Sequence, residues 1–574
     1  MQLFVNHRGY ETGGPKRAVL RGTERVEVEG VRAVDAAGAT VRETDAEYVG
    51  GVDNWGDGEW VFWTVEFSAL SAPGEYHLLA DAGGETVRSR PFEVGDRLLQ
   101  EQLLSDLLFF FKSQRSSGVY DRADRAVPFV GDREGTADVH GGWYDASGDM
   151  SKYLSHLSYA NYLNPQHIPM AVWGLADARE QLAGHDRDLG AQLDERLVEE
   201  IVHGADFLVR MLDGEGYFYT TVFDQWSHDT DRREICSYEG EDGTKTDDYE
   251  AAYREGGGVA IAALARASAV DGPAEYDPDT YLESAVTAFD HLEEHNEAYL
   301  YDGTENVIDD YCALLAATEL AAATGEERFR EAADERAESL LARQTGDDSY
   351  EGWFRADDDG ERPFFHAAEE GLPVVALLRY RDVVGGDSAV AEADESVADA
   401  VARYWDFETA ITDDVTNPFG YARQYVKAVD EDEPRDSFFI PHENESGYWW
   451  QGENARLASL AAAASRSQEV VDDDTADRLE RFARDQLDWI LGRNPFDVAM
   501  MRGVGPQGPE YHVAYRNAPG GVMNGITAGV EDESDIAFCP DPQGEDHAHR
   551  WRWAEQWLPH AVWLFVALAS AERV

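Results

Sequence analysis

The 574-residue chain is poor in cysteine, in lysine and in long apolar runs, and each shortage removes a class of protein. Its three cysteines, Cys236, Cys312 and Cys539, are widely spaced and form no CxxC pair. Neither a disulfide framework nor a zinc knuckle is therefore written into the sequence. No apolar stretch reaches the ~18 residues that a membrane span needs. The start, MQLFVNHRGY, enters strand-like sequence without the basic and apolar regions of an export signal. The expectation is a cytoplasmic protein that does not engage a membrane, or a secreted one whose leader has been removed.

Lysine is reduced to Lys16, Lys112, Lys152, Lys245 and Lys427, so nearly all cations are arginine. Against 48 Lys plus Arg stand 114 Asp plus Glu, a formal net charge of −66. The acids run through the whole chain, as in EEHNEAYLYDGTEN and VDEDEPRDS. In dilute buffer such a surface repels itself, and molar salt removes the repulsion by shortening the screening length to about 3 Å. This is the composition of a halophile's soluble protein. It excludes nucleic acid as a partner, because phosphates need a basic surface. Hydrophobic residues at 43% and aromatics at 11% exclude an acidic disordered chain and supply a large core.

Two regimes follow one another. Residues 1–96 carry short alternating runs, RAVLRG, RVEVEGVRAV, WVFWTVEFSAL, GEYHLLADA and ETVRSRPFEV, separated by turn residues, which predict a small β-sandwich of immunoglobulin size. At DRLLQEQLLSDLLFFFKSQR the apolar period becomes helical, and residues 97–574 form a second domain. Twelve helical segments are predicted there, near 99–113, 167–183, 191–212, 251–269, 279–295, 308–323, 327–343, 365–384, 388–404, 449–466, 474–491 and 556–572. They come as αα-hairpins. The intervening stretches 114–166, 213–250, 405–448 and 492–555 gather Trp, Tyr, Asp and His, the kind of long loops on which function sits.

Two constellations carry chemistry. In HGGWYDASGDMSKY, Asp145 and Asp149 lie four residues apart in a small-residue turn flanked by Trp143 and Tyr144. Two acids in one turn can hold a water, and aromatic faces suit the apolar faces of a pyranose. A helix N-cap is the plainer use of such an Asp. In DHAHRWRWAEQWLPH, Glu555 opens the last helix among Trp551, Trp553 and Trp557. A carboxyl packed among indoles loses hydration and stays protonated, as a general acid must. A dipole-favoured Glu at a helix start is the plainer use here. Cleavage of a glycosidic bond with inversion needs one acid of each kind. His547, His549 and His560 lack the compact spacing of a metal site.

Together these segments resemble glycoside hydrolase family 9, the family of many cellulases. VNHRGY…GPKRAVL is similar to the family's N-terminal immunoglobulin-like opening, GGWYDASGDMSKY to its GGWxDAGDxxKY, and LDWILGRNPFDVAMMRGVG to its LxYLLGRNP segment. GYWWQGENARLASLA falls at its WGSN-type helix start. The resemblance covers nearly the whole chain and implies an (α/α)6 barrel behind the β-sandwich. It implies Asp149 as general base, Asp145 as a second holder of the water, and Glu555 as general acid, with Asp546, Trp551 and Glu555 at the family's spacing. His512 and Arg516 would be the family's sugar-binding His and Arg. The chain departs from the pattern in the extra Ser147, in the spacing of His512 and Arg516, and in His560-Ala561 after the acid.

The loop FFIPHENESGYWW adds His442, Trp449 and Trp450 as further sugar contacts, with Glu443, Glu445 and Glu453 as extra acids that either face the cleft or belong to the acidic surface. Trp226 and Tyr238 are stacking candidates. The expected partner is a β-1,4-linked glucan or cello-oligosaccharide. The alternatives are exo-action on short oligosaccharides, as a β-glucosidase or β-glucosaminidase, and a non-catalytic carbohydrate-binding protein. A lyase on a similar barrel would want a cationic cleft, which this acidic chain lacks. No cofactor is implied. A structural calcium is compatible with the family, but no EF-hand spacing marks its place.

The charge generates one prediction. Circular dichroism against KCl concentration will show the fold lost below about molar salt and regained above it. A fully folded protein in dilute buffer overturns the halophilic reading.

Overall fold

The computed structural model describes residues 1–571 apart from 186, 386–390, 507, 513–516, 542 and 544–546. Its N-terminal strands are β1 (Gln2–Phe4), β2 (Gly9–Glu11), β3 (Arg17–Gly22), β4 (Val28–Asp35), β5 (Thr40–Thr44), β6 (Ala46–Gly50), β7 (Val61–Glu66), β8 (Gly74–Ala82), β9 (Glu85–Arg88) and β10 (Phe92–Gly95). They form two sheets, ordered β1-β3-β7-β6 and β2-β10-β8-β4-β5, with β9 added beside β8. Alternate residues point inward: Tyr76, Leu78, Ala80 and Ala82 of β8 are buried and meet Leu20, Trp63 and Val65 of the facing sheet.

The helices are α1 (Leu98–Gln114), α2 (Gly118–Ala123), α3 (Ile168–His185), α4 (Arg187–Met211), α5 (Gly258–Ala267), α6 (Pro278–Tyr299), α7 (Val307–Thr324), α8 (Glu327–Ala342), α9 (Leu372–Val383), α10 (Ala391–Asp413), α11 (Asn454–Ser467), α12 (Asp473–Ile490), α13 (His547–Ala554) and α14 (Leu558–Ser570). Six of them, α3, α5, α7, α9, α11 and α14, pack each on the next, and α14 packs back on α3, which closes a ring. Outside it, α4, α6, α8, α10 and α12 back onto their predecessors and α1 onto α14. The sequences explain the layers. Every residue of α5 (GVAIAALARA) and of α14 (LPHAVWLFVALAS) is buried, as an inner helix surrounded on all sides requires. The outer α12 buries Leu479, Phe482, Ala483 and Leu487, exposes Asp473, Asp474 and Asp477, and keeps Asp485 and Asp488 buried toward the sandwich. The architecture is an (α/α)6 barrel behind an immunoglobulin-like sandwich. No helix among the described residues is long and apolar enough to cross a membrane.

Three inner helices begin later than their apolar pattern predicts, at Gly258, Leu372 and Asn454. Just ahead of each starting point lies a buried acid, Glu255, Glu369 or Glu453, held by backbone or side-chain donors in a non-helical turn. Glu453 accepts from Ile440 N and pairs with Arg456 at 2.6 Å. It is a buried structural acid, which removes it from the cleft. Glu445 pairs with Arg362, and Glu443 is exposed. Two of the five lysines are also interior. Lys16 Nζ donates to three backbone carbonyls, and Lys152 pairs with Asp124 at 2.7 Å.

The recognised VNHRGY and LGRNP segments meet at the joint between the two domains. Asn6 Oδ1 accepts from Arg8 N and Gly9 N, while its amide donates to Asp488 at 2.8 Å. Gly9 has φ +130°, and a side chain there would strike Glu93 O, so only glycine fits. Arg17 and Arg493 both pair with Asp485. The first turn of α1 follows Arg97, which provides no side-chain cap. Glu11 of the sandwich supplies the cap instead, accepting from Leu98 N at 2.9 Å and Leu99 N at 3.0 Å. Replacing Glu11 by Ala will leave two buried amides unpaired and cost about 1–2 kcal/mol in urea unfolding at molar KCl. Glu11→Gln, which retains an acceptor, will cost less. Equal stability of all three proteins would remove the cap from the account.

Candidate active site

The acid pair sits in a closed turn. Asp145 N donates to Ser151 O at 3.1 Å, and Ala146 and Asp149 exchange both backbone bonds at 3.3 Å. Ser147 and Gly148, at the tip, are thus the two loop residues of a tight hairpin. The strand leading in is anchored behind the site. The Trp143 indole donates to Glu200 at 3.3 Å and packs on Phe111 and His203. Tyr144 bonds Ser117 through its hydroxyl. Trp143 is fully buried, and neither residue lines the cleft. Their expected role in sugar stacking is therefore corrected. They are the wedge that fixes the turn.

The segment carrying Glu555 links α13 to α14 and is hydrogen bonded on both edges. On one side Ser147 N donates to Gln556 O at 2.8 Å, Gln556 N to Ser147 Oγ at 3.1 Å, and Leu558 N to Asp145 O at 2.9 Å. On the other, Asn524 N donates to Glu555 O at 2.8 Å and Trp557 N to Val522 O at 3.2 Å. The extra Ser147 is thus part of the clamp. Gly148 N donates to Glu555 Oε1 at 3.1 Å across 407 positions of sequence. Gly148 has no room for a side chain, because a Cβ would overlap the Tyr511 ring and lie 2.7 Å from Glu555 Oε1.

Asp145, Asp149 and Glu555 share one cleft of about 440 Å³, walled by Trp226, Tyr238, Tyr448, Trp449, Tyr511, Trp551, Arg552 and Trp557 among others. Asp149 accepts from Ser151 N at 2.8 Å, Tyr153 Oη at 2.8 Å and Trp226 Nε1 at 3.1 Å. Trp226 reaches it from a loop in which Gln225, Trp226 and His228 all have positive φ, an unfavourable backbone for residues with side chains. Asp145 accepts from His167 Nδ1, from Trp557 Nε1 at 3.0 Å, and from His156 Nε2 at 3.2 Å. Tyr238 bonds the other nitrogen of His156 at 2.5 Å.

The three carboxyls are driven apart in acidity. Burial works against ionisation of Asp145, yet the His167 and His156 imidazoles outweigh it and hold this carboxyl well below the usual range. Burial, then the negative Asp145 and Asp224, raise Asp149 to about 6. Burial, then Asp149 and Asp145, push Glu555 well above the ordinary carboxylate value, opposed only by the Gly148 N–H. Near neutrality the turn carries the charge and Glu555 keeps its proton. Burial lowers His167 to about 4, so it is neutral and donates its Nδ1 proton.

Of the remaining expected contacts, Trp449 and Trp551 line the cleft. Trp450 and His442 do not. Trp450 stacks on His442 at 3.8 Å, the Arg552 guanidinium lies 4.1 Å from the Trp450 ring centre, and His442 N bonds Glu533. That stack braces the loop from behind and leaves no ring face for a sugar. His512 is half-buried next to Tyr511, which takes the cleft position. Arg516 and Asp546 lie outside the described residues. His560 is buried behind Trp557 and bonds Asn524 at 2.9 Å. Sequence reasoning missed His156, His167, Tyr153, Tyr448, Tyr511 and Arg552. Tyr153, Tyr448 and Arg552 stand inside the recognised motifs, where their presence but not their direction could be read, whereas His156 and His167 have no motif and reach the site only through folding.

Residues 101–520 match the family described as glycosyl hydrolase family 9, and residues 1–85 match the cellulase N-terminal ig-like domain. Glu555 lies beyond the first match, so its place rests on the geometry above. The chain is 30% identical to Endoglucanase C of Cellulomonas fimi over 379 residues, 57% of this chain and 32% of that protein. It is 27% identical to a cellodextrinase of Butyrivibrio fibrisolvens over 233 residues, 38% of this chain and 40% of that protein. The matches thus span well under half the length of these relatives. A metagenome-derived family 9 endoglucanase shares the fold with a TM-score of 0.67 at 18% identity, covering 100% of this chain and 99% of that one. Bacteroides ovatus GH9 shares it with a TM-score of 0.66 at 19% identity, covering 99% and 98%. With a sandwich, a closed helical ring and a three-carboxyl cleft in place, the chain belongs to glycosyl hydrolase family 9.

Proposed function

We propose that the protein hydrolyses β-1,4-linked glucan or cello-oligosaccharides with inversion at the anomeric carbon. One observation carries this reading: within one aromatic-walled cleft, a carboxyl kept protonated, Glu555, is held by Gly148 N–H directly beside the turn that carries an ionised pair. A water held by Asp149 and Asp145 attacks the anomeric carbon as Asp149 takes its proton. Glu555 gives its proton to the departing glycosidic oxygen, so each acid ends with the other's protonation state. Asp145 does not accept the proton. Its hydrogen bonds from His167 and Trp557 fix its orientation, and its charge raises the basicity of Asp149. Trp226, Tyr448, Trp449 and Trp551 provide ring faces for the sugar.

The names of the relatives, endoglucanase and cellodextrinase, support a cellulose-derived substrate. A second reading, exo-action on short oligosaccharides, draws on the likeness to a cellodextrinase and on the compact cleft. Product lengths from cellohexaose and from chitosan oligomers distinguish the two. A single product released from one chain end supports exo-action, and a spread of lengths supports internal cleavage.

Glu555→Gln will reduce kcat on unactivated oligosaccharides by about 10²–10⁴-fold while binding persists. Full activity in that variant overturns the assignment. The pH profile of kcat/KM will be bell-shaped. Asp149 must be ionised, so activity falls as pH drops through about 6. Glu555 must be protonated, so activity falls again as pH rises through its elevated pKa. The Glu555→Gln variant will lose the alkaline limb and keep the acidic one.

A further inference from the structure

His156, His167 and Asp145 each present a ligand-type atom to the others, and these three atoms all lie within 4.8 Å of one another. The two imidazole rings stand 4.4 Å apart, inclined by 34°, with one nitrogen of each aimed at the same carboxylate. Holding Asp145 in place does not require both. The Trp557 indole already donates to it at 3.0 Å, and one imidazole would satisfy the other oxygen. Two imidazoles and one carboxylate are a donor set suited to late first-row divalent cations, Zn²⁺ above all, and unsuited to Ca²⁺ or Mg²⁺, which demand oxygen.

The surroundings fit such an ion. Binding shifts each ring proton to the nitrogen that does not ligate. For His156 that nitrogen is Nδ1, and Tyr238 Oη stands 2.5 Å away to accept it, the second-shell arrangement of metal-bound histidines. For His167 it is Nε2, which is buried with no hydrogen-bond partner among the described residues, so that proton goes unpaired and His167 is the weaker of the two imidazole ligands. Asp145 and His156 both line the cleft, so an ion enters by the substrate's own route.

We propose that Asp145, His156 and His167 form a binding site for a late first-row divalent cation, Zn²⁺ being the best fit, and that its occupation shuts the hydrolase off. The ion takes the carboxylate that helps hold the attacking water, and places two positive charges beside Asp149. The shut-off rests on the function proposed above, whereas the binding does not.

The test uses the full chain, freed of metal with a chelator, in molar KCl so that the acidic surface is screened. Zn²⁺ is followed by calorimetry and Co²⁺ by its visible ligand-field absorption. The expected result is one equivalent bound, with a Co²⁺ spectrum of mixed nitrogen and oxygen ligation. His156→Gln, with folding checked by circular dichroism, will weaken binding by at least about tenfold, and Tyr238→Phe, which removes only the second-shell partner, by about tenfold. Inhibition of oligosaccharide hydrolysis will follow the same Kd and be reversed by chelator. No stoichiometric uptake, or uptake unchanged in His156→Gln, overturns the site. Uptake with hydrolysis undiminished overturns the shut-off. If the metal-free protein hydrolyses no glycan, the functional reading fails, while calorimetry still decides the site.

Discussion

The site depends on a short piece of backbone pairing. Residues 555–557 lie between the acid-bearing hairpin and residues 522–524 and are hydrogen bonded to both. A general acid on a long side chain is useful only if its main chain is fixed relative to the base. Here that relation is set by backbone hydrogen bonds, with side-chain packing left to secure it. Ser147 adds its hydroxyl to the same edge, and Gly148 lends an amide to the acid itself. The helical ring serves this arrangement. It brings α14 back against α3, and so returns the end of the chain to a turn that precedes α3. Closing a loop of this length has an entropic cost that grows only slowly with chain length, and once the ring forms the strands are already side by side.

The pairing has an electrostatic consequence. Three carboxyls confined to one poorly hydrated cleft cannot all carry charge. The conflict is resolved by unequal partners. Asp145 receives donors from two imidazoles and an indole, Asp149 from an amide, a phenol and an indole, and Glu555 from a single amide. The order of acidity follows the order of support. The charge on the best-supported member then raises the other two, so Asp145 acts on the chemistry through its field as well as through its contacts.

Much of this was legible in the sequence. The helical period locates all twelve ring helices, because inner helices such as α5 and α14 are apolar along their length and outer ones such as α12 are two-faced. Asp145, Asp149 and Glu555 were legible because they stand in short motifs with known spacing. Side-chain direction was not legible. Trp143 and Tyr144 adjoin Asp145 in the motif yet point into the protein, and Trp449 faces the cleft while its neighbour Trp450 is enclosed by His442 and Arg552. A motif states which residues are near one another along the chain, and adjacent side chains of an extended backbone, as at Trp449 and Trp450, face opposite sides. His156 and His167 were illegible for another reason. They share no helix or strand with Asp145, so no periodicity links the three, and only the tertiary fold gives them a shared target. The late starts of α5, α9 and α11 were hidden because buried Glu255, Glu369 and Glu453 interrupt runs that apolar periodicity alone would continue.

The joint built from VNHRGY and LGRNP bears on how such enzymes can be recombined. Asn6 and Arg17 satisfy Asp488 and Asp485, and Glu11 completes the first turn of the helix that opens the barrel. The sandwich is therefore a structural component of the barrel, and severing it strands acids and amides in what becomes a new surface. A modular swap that cuts between Gly95 and Leu98, where the strand pattern gives way to the helical one, would divide these pairs between two parents. The unit that can be exchanged among relatives is the sandwich together with the segment around residues 485–497, inherited as one block although the two are separated by most of the chain.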